Sequence, residues 1–103
     1  MSNEKGIPEK LKRDPAWCAV LRIFERFGDD RGIWDRVYLD DARIDFKAIL
    51  QDGTFGGGET RMMRIAASLF NEDYEVNLWS ALAGLDKDNA AAVIEAIREF
   101  TAR

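Results

Sequence analysis

GTFGGGETRMMRIAASLF, residues 53–70, holds four of the chain's eight glycines and runs directly into an apolar stretch. Two structures compete for it: a loop that cradles phosphate ahead of a helix, or the start of a helix that belongs inside a bundle. A Walker-type loop has the order G-x-x-x-x-G-K-[ST], because its lysine reaches the outer phosphates and its hydroxyl holds magnesium; no such lysine is present. A dinucleotide fingerprint, which G-x-x-G-G-G from Gly53 matches loosely, works only between a parallel strand and a helix. The preceding FKAILQD, residues 46–52, reads as helix. Gly56 to Glu59 instead fits the S-x-x-E capping pattern with glycine in place of serine: Gly56 is the N-cap and the Glu59 carboxylate turns back to its amide. Glu59 also sets negative charge at the positive end of the helix dipole, which opposes a phosphate there. The run beyond it, Met62, Met63, Ile65, Ala66, Ala67, Leu69 and Phe70, is broken only by Arg61, Arg64 and Ser68, the pattern of a helix central to a bundle.

Toward the N-terminus, Asp14 is a good N-cap and Pro15 a good first helical residue. Trp17, Val20, Leu21, Phe24 and Phe27 then recur at helical spacing until Gly28 supplies a stop. Residues 28–45, GDDRGIWDRVYLDDARID, carry six aspartates and three arginines around a few apolar residues. Their spacing favours a short helix, while Arg36 to Leu39 reads equally as a short extended piece. Asp45 caps a helix bearing Phe46, Ile49 and Leu50 that ends at Asp52-Gly53. Asn77 caps Leu78 to Ala83, closed by Gly84, and Asp86 opens a last helix with Ala90, Val93, Ile94, Ile97 and Phe100 as its apolar stripe. Alternating strand patterns are missing, so the expected class is all-α: one compact bundle of five to six helices with residues 58–71 central. A charged arm, residues 1–13, precedes a single helical domain, residues 14–103.

GGGETRMMRIAASLFN followed by NLWSALAGLDKDNAAAVIEAI resembles the C-terminal half of small bacterial and phage-associated proteins of unknown function. In those, S-S-G-E opens one helix and L-D-x-x-N opens the last. The matching positions are Gly56 to Glu59, Leu85, Asp86 and Asn89, and the likeness spans residues 53–100. It implies architecture and no activity. Glycine at position 56, where serine is usual, keeps the turn and loses the hydroxyl cap.

The chain has 15 basic and 19 acidic residues, a net charge of −4, and no histidine. Lacking histidine, it lacks the commonest catalytic base and metal ligand. Cys18 is the sole cysteine, which excludes an intrachain disulfide and a cysteine-based zinc cluster; beside the apolar stripe it reads as a buried small thiol. The six aspartates of residues 28–45 do not follow the calcium-loop order, and turns, caps and ion pairs explain them, so no metal, cofactor or catalytic residue is expected. No stretch approaches a membrane span, and no signal-peptide core opens the chain, which reads as cytoplasmic.

Residues 78–100 come close to helix-turn-helix spacing, with Trp79, Ala83, Leu85, Ala90 and Val93 expected inward. The front of the second helix carries Asp86, Asp88 and Glu95, which would repel phosphates, so a packing corner is the better reading. By elimination the leading expectation is a small acidic regulator, adaptor or inhibitor that binds a protein partner, a second copy of itself (a homodimer) included. Its expected surface is Asp29, Asp30, Trp34, Tyr38, Asp40 and Asp41, with Trp34 as the tryptophan that anchors a partner while Trp17 and Trp79 serve the core. Two alternatives remain: a phosphate or nucleotide binder or enzyme using Gly56, Gly57 and Gly58 with Arg61 and Arg64, and nucleic-acid binding through the basic arm (Lys5, Lys10, Lys12, Arg13).

Overall fold

The computed structural model describes residues 6–52 and 55–102. Asp14 begins the main body. Its Oδ1 accepts from the amides of Ala16 (2.9 Å) and Trp17 (3.2 Å), and Pro15 occupies the first helical position, where no amide hydrogen is needed. Helix α1, Glu9–Lys12, is a single turn whose Leu11, like nearby Ile7, is buried; helix α2, Pro15–Phe24, comes directly after Asp14. The stripe expected to run to Phe27 is α-helical only to Phe24; Glu25–Phe27 tightens into a 3₁₀ turn, and Gly28 leaves it at φ 66°. That backbone angle is open to glycine and strained for other residues, which is why the helix stops there.

Residues 28–45 contain both structures that their spacing leaves open. Asp30 opens α3, Arg31–Trp34, its Oδ1 accepting from the Gly32 amide at 2.8 Å. Then β1, Val37–Tyr38, pairs antiparallel with β2, Arg43–Ile44, in the register Val37 to Ile44 and Tyr38 to Arg43. Two-residue strands are too short for alternation to register in sequence, which is why the spacing leaves Arg36 to Leu39 open; the described residues carry this one small hairpin among helices. The four-residue turn holds Ala42 at φ 51°.

Helix α4, Phe46–Asp52, is capped by Asp45, whose Oδ1 accepts from the Ala48 amide at 3.0 Å. Its expected stop, Gly53, lies outside the described residues. The glycine stretch then opens α5, Gly57–Phe70: the Gly56 amide donates to Glu59 Oε1 at 3.0 Å, and the Gly56 carbonyl accepts from the Thr60 amide at 2.9 Å. Asn77 caps α6, Leu78–Ala83, through the Ser80 amide (3.0 Å), and Asp86 caps α7, Lys87–Thr101, through the Asn89 amide (2.8 Å).

Helix α2 packs on α7 and α5, and α5 touches α4, α6 and α7 besides. The core between them is formed by Val20, Ile23 and Phe24 of α2, Met62, Met63, Ile65 and Ala66 of α5, Val93 and Ala96 of α7, and Ile33, Phe46 and Ile49. An aromatic seam crosses it. Trp34 meets Phe24 at 5.8 Å between ring centroids, Phe24 meets Phe46 at 6.1 Å, Phe46 meets Phe70 at 5.5 Å, and Phe70 meets Trp17 at 5.3 Å. Edge-to-face and tilted contacts at these distances suit the ring quadrupoles. Outside the core, Arg22 bridges α2 to α7 through Glu99, donating from a terminal guanidinium nitrogen to Oε1 at 2.8 Å and from Nε to Oε2 at 3.3 Å. The radius of gyration, 12.7 Å, is that of a single compact body.

Two expectations about α6 and α7 are corrected. Trp79 is 79% exposed and Ala83 is exposed with it, because α6 packs chiefly against α5 and turns its other side to solvent. Leu85 and Ala90 are half-buried and Val93 is buried. Ile94, expected in the stripe of α7, is 56% exposed; the stripe is narrower, centred on Val93, Ala96, Ile97 and Phe100.

Candidate functional site

Helix α6 is short, and its outward side is apolar. Leu78 is 49% exposed and Trp79 79%; with Ile94 they are the exposed large hydrophobic residues among those described. An indole left in water forgoes roughly 2–3 kcal/mol of burial that a core position would supply.

Between α5 and α6 runs a cleft of about 280 Å³, lined by Arg61 and Arg64 of α5, by Glu75, Val76 and Asn77 of the connection, and by Ser80 and Ala81 of α6. Asn77 and Ser80 lie close to Trp79 in sequence, so the cleft and the exposed indole belong to one short segment. Both arginines are exposed, and no carboxylate comes within 4.0 Å of either guanidinium among the described residues, although Glu75 lines the same cleft. Other arginines are engaged: Arg22 with Glu99 and Glu25, Arg26 with Asn89, Arg98 with Glu95, and Arg43 over the Tyr38 ring at 4.2 Å. Arg61 reaches across to the α6–α7 turn. Its guanidinium lies directly over Gly84, where a Cβ would overlap Cζ and Nε, and one nitrogen would be 3.3 Å from a Cβ on Gly57.

The expected protein-binding residues lie elsewhere. Asp29, Asp30, Asp40 and Asp41 are exposed around α3 and the hairpin turn, and Tyr38 is half-buried under Arg43. Trp34 is half-buried, edge-on to Phe24, with its indole N–H donating to the Gly28 carbonyl at 3.3 Å. Of the expected anion-binding set, Arg61 and Arg64 come together, whereas Gly56, Gly57 and Gly58 do not line the cleft and the Gly56 amide is already bonded to Glu59. In the basic arm Lys10, Lys12 and Arg13 are exposed; Lys5 lies outside the described residues.

Cys18 is half-buried, its thiol donating to the Lys12 carbonyl at 2.8 Å. Burial pushes the thiol pKa up, the charges of Glu99 and Asp14 push it further, and Arg22 opposes them. A raised pKa leaves little thiolate, the reverse of what a nucleophile needs. Among the described residues no group of three or more cysteine, aspartate or glutamate side chains is placed to hold a metal ion, and no helix is long and apolar enough to cross a membrane.

No protein-family model, curated protein or solved structure matches the chain.

Proposed function

We propose that the protein is a small acidic contact module, a regulator, adaptor or inhibitor, that acts by binding another protein through the surface of α6. The exposure of Trp79 carries this reading. Tryptophan and arginine are the residues that most often dominate binding energy at protein interfaces, and here the exposed tryptophan stands on α6, the helix that forms one wall of a cleft holding two arginines with no carboxylate partner among the described residues. The acidic stretch from Asp29 to Asp41 is the weaker candidate, since Asp30 and Trp34 are occupied in holding α3 and the aromatic seam.

The test is photo-crosslinking from position 79, with a control probe at exposed Asp40, followed by purification of the protein captured and measurement of its affinity for Trp79→Ala and Leu78→Ala. The Trp79→Ala variant is expected to weaken binding by roughly tenfold or more while keeping its helical circular dichroism. Unchanged affinity in a folded Trp79→Ala variant would dispose of the reading.

A further inference from the structure

The cleft between α5 and α6 has a chemistry of its own. Arg61 and Arg64 stand three residues apart on α5, so their charges are neighbours on one helix face, an arrangement that costs stability unless a negative group joins it. In a chain of net charge −4, nineteen carboxylates are available, yet none is placed on either guanidinium among the described residues. Other residues lining the cleft carry donors: Asn77 Oδ1 is bonded to the Ser80 amide, and the Asn77 side-chain N–H₂ and the Ser80 hydroxyl make no hydrogen bond among the described residues.

Gly84 supplies a second, independent observation. Its φ is −94°, an angle any residue adopts, so the backbone does not require glycine there. What glycine leaves is room for the Arg61 guanidinium, which occupies the space of the missing Cβ. A long arginine held in this way loses less freedom when it binds.

We propose that this cleft receives the side-chain carboxylates of an acidic segment of a protein partner, with Arg61 and Arg64 as the anion-binding groups, while Trp79 and Leu78, on the part of α6 outside the cleft, meet apolar residues of the same partner. The assignment rests on the α6 contact reading above. Charge selects the occupant: unpaired guanidinium groups match carboxylates in fork geometry. A nucleic acid would carry a continuous row of phosphates over the acidic remainder of the surface, where repulsion opposes it. An isolated phosphate would leave the exposed Leu78 and Trp79 of the same helix uncovered.

The experiment follows the arginine Nε–H signals of the full chain by NMR while a blocked peptide of alternating glutamate and leucine is added, with the glutamine-for-glutamate peptide and inorganic phosphate as separate titrants. The glutamate peptide is expected to shift the Arg61 and Arg64 signals and to leave Arg98 unmoved. The glutamine peptide should bind about tenfold more weakly. Glu75→Gln should tighten binding by removing the one negative group of the cleft, Gly84→Ala should weaken it by displacing Arg61, and Arg64→Gln should weaken it without loss of helicity. Equal shifts with both peptides, no shift with the glutamate peptide, or a shift with phosphate alone overturns the proposal. Trp79→Ala separates the two readings. If the arginine variants bind normally and Trp79→Ala does not, the acidic-segment inference fails and the α6 reading stands; if Trp79→Ala binds normally and the arginine variants do not, the α6 reading fails and the carboxylate site stands.

Discussion

Residues 28–45 and residues 72–85 are two surface regions that each carry a tryptophan, and they treat it in opposite ways. The first has irregular backbone, six aspartates and a glycine at each end of its opening turn, yet Trp34 is tucked against Phe24 and bonded to the Gly28 carbonyl. The second contains a regular, well-capped helix, yet Trp79 stands 79% exposed. Regular backbone satisfies its own hydrogen bonds whether or not anything covers it, so it carries no guarantee of burial. Burial is decided by neighbours: Trp34 has α2 beneath it and α4 beside α3, while α6 leans chiefly on α5.

A truncation series read by urea unfolding tests this contrast most severely. Phe24→Ala removes a ring enclosed by Trp34 and Phe46 and is expected to cost roughly 3–5 kcal/mol. Trp34→Ala, half-buried, should cost about 2 kcal/mol, and Trp79→Ala no more than about 0.5 kcal/mol. A cost at Trp79 equal to that at Trp34 would erase the difference between the two regions and return Trp79 to a structural role.

Backbone angles refine the account of the irregular region. Gly28 holds φ 66° with ψ −139°, a combination nearly reserved for glycine, and Gly28→Ala should destabilise by roughly 1–3 kcal/mol. A loss near zero would mean that the 3₁₀ turn can end another way. In the hairpin turn the sign reverses. Ala42 sits at φ 51°, so Ala42→Gly relieves the left-handed strain while adding chain entropy to the unfolded state, and a net gain of up to about 1 kcal/mol is expected in thermal unfolding.

Local chemistry explains which parts are legible in the sequence. Asp14, Asp45, Asn77 and Asp86 each cap the helix assigned to them, because a cap is a contact between residues two or three apart and its spacing is written in the chain. The apolar run of α5 and the stripe of α2 are legible for the same reason. The hairpin is only half legible: Arg36 to Leu39 reads as helix or extended piece alike, because two-residue strands leave no period to decide between them. Trp79 and Ile94 escape because a helix's own composition suggests an inward face, whereas the face that is covered depends on which helices arrive from elsewhere in the chain. The cleft of Arg61 and Arg64 shows the same limit. Both residues stand out in sequence as cations near a helix start, but the groups that share their cleft, Asn77 and Ser80, and the Gly84 backbone under Arg61 are brought up by folding; of the glycine triplet only Gly57 lies close to the Arg61 guanidinium, and none of the three lines the cleft.

The α2–α7 bridge joins stability to the one thiol. Arg22 is 41% exposed and Glu99 31%, so solvent screens the pair, and Glu99→Gln should cost only about 0.5 kcal/mol. Its effect on Cys18 is the more diagnostic readout. Removing Glu99 takes away a charge that raises the thiol pKa and leaves Arg22 to lower it, so the pH midpoint of alkylation should fall in the variant. In the parent protein a thiol pKa above its unfolded value contributes stability that is fully present below the unfolded value and is lost as pH rises through the folded one. An alkylation midpoint unmoved by Glu99→Gln would show that burial and Asp14, and not Glu99, hold the thiol up.

The mildest substitution bears on the stretch that opens the central helix. Gly56 has φ −69° and ψ 173°, the extended geometry of a serine cap, and the nearest atom to a Cβ there is Glu59 Oε1 at 3.7 Å, an ordinary contact. Gly56→Ser therefore fits without strain. Its hydroxyl would accept from the Glu59 amide and complete the reciprocal box of which glycine leaves one half unmade, a gain of roughly 0.3 kcal/mol. If Gly56 served instead to let a ligand approach the backbone, serine would block that approach and free-chain stability would be the wrong quantity to watch. A small rise in melting temperature, with the arginine signals still responding to the glutamate peptide, assigns the glycines to the helix start and the binding to the cleft. Loss of that response in a fully folded Gly56→Ser variant would instead tie the glycines to the ligand.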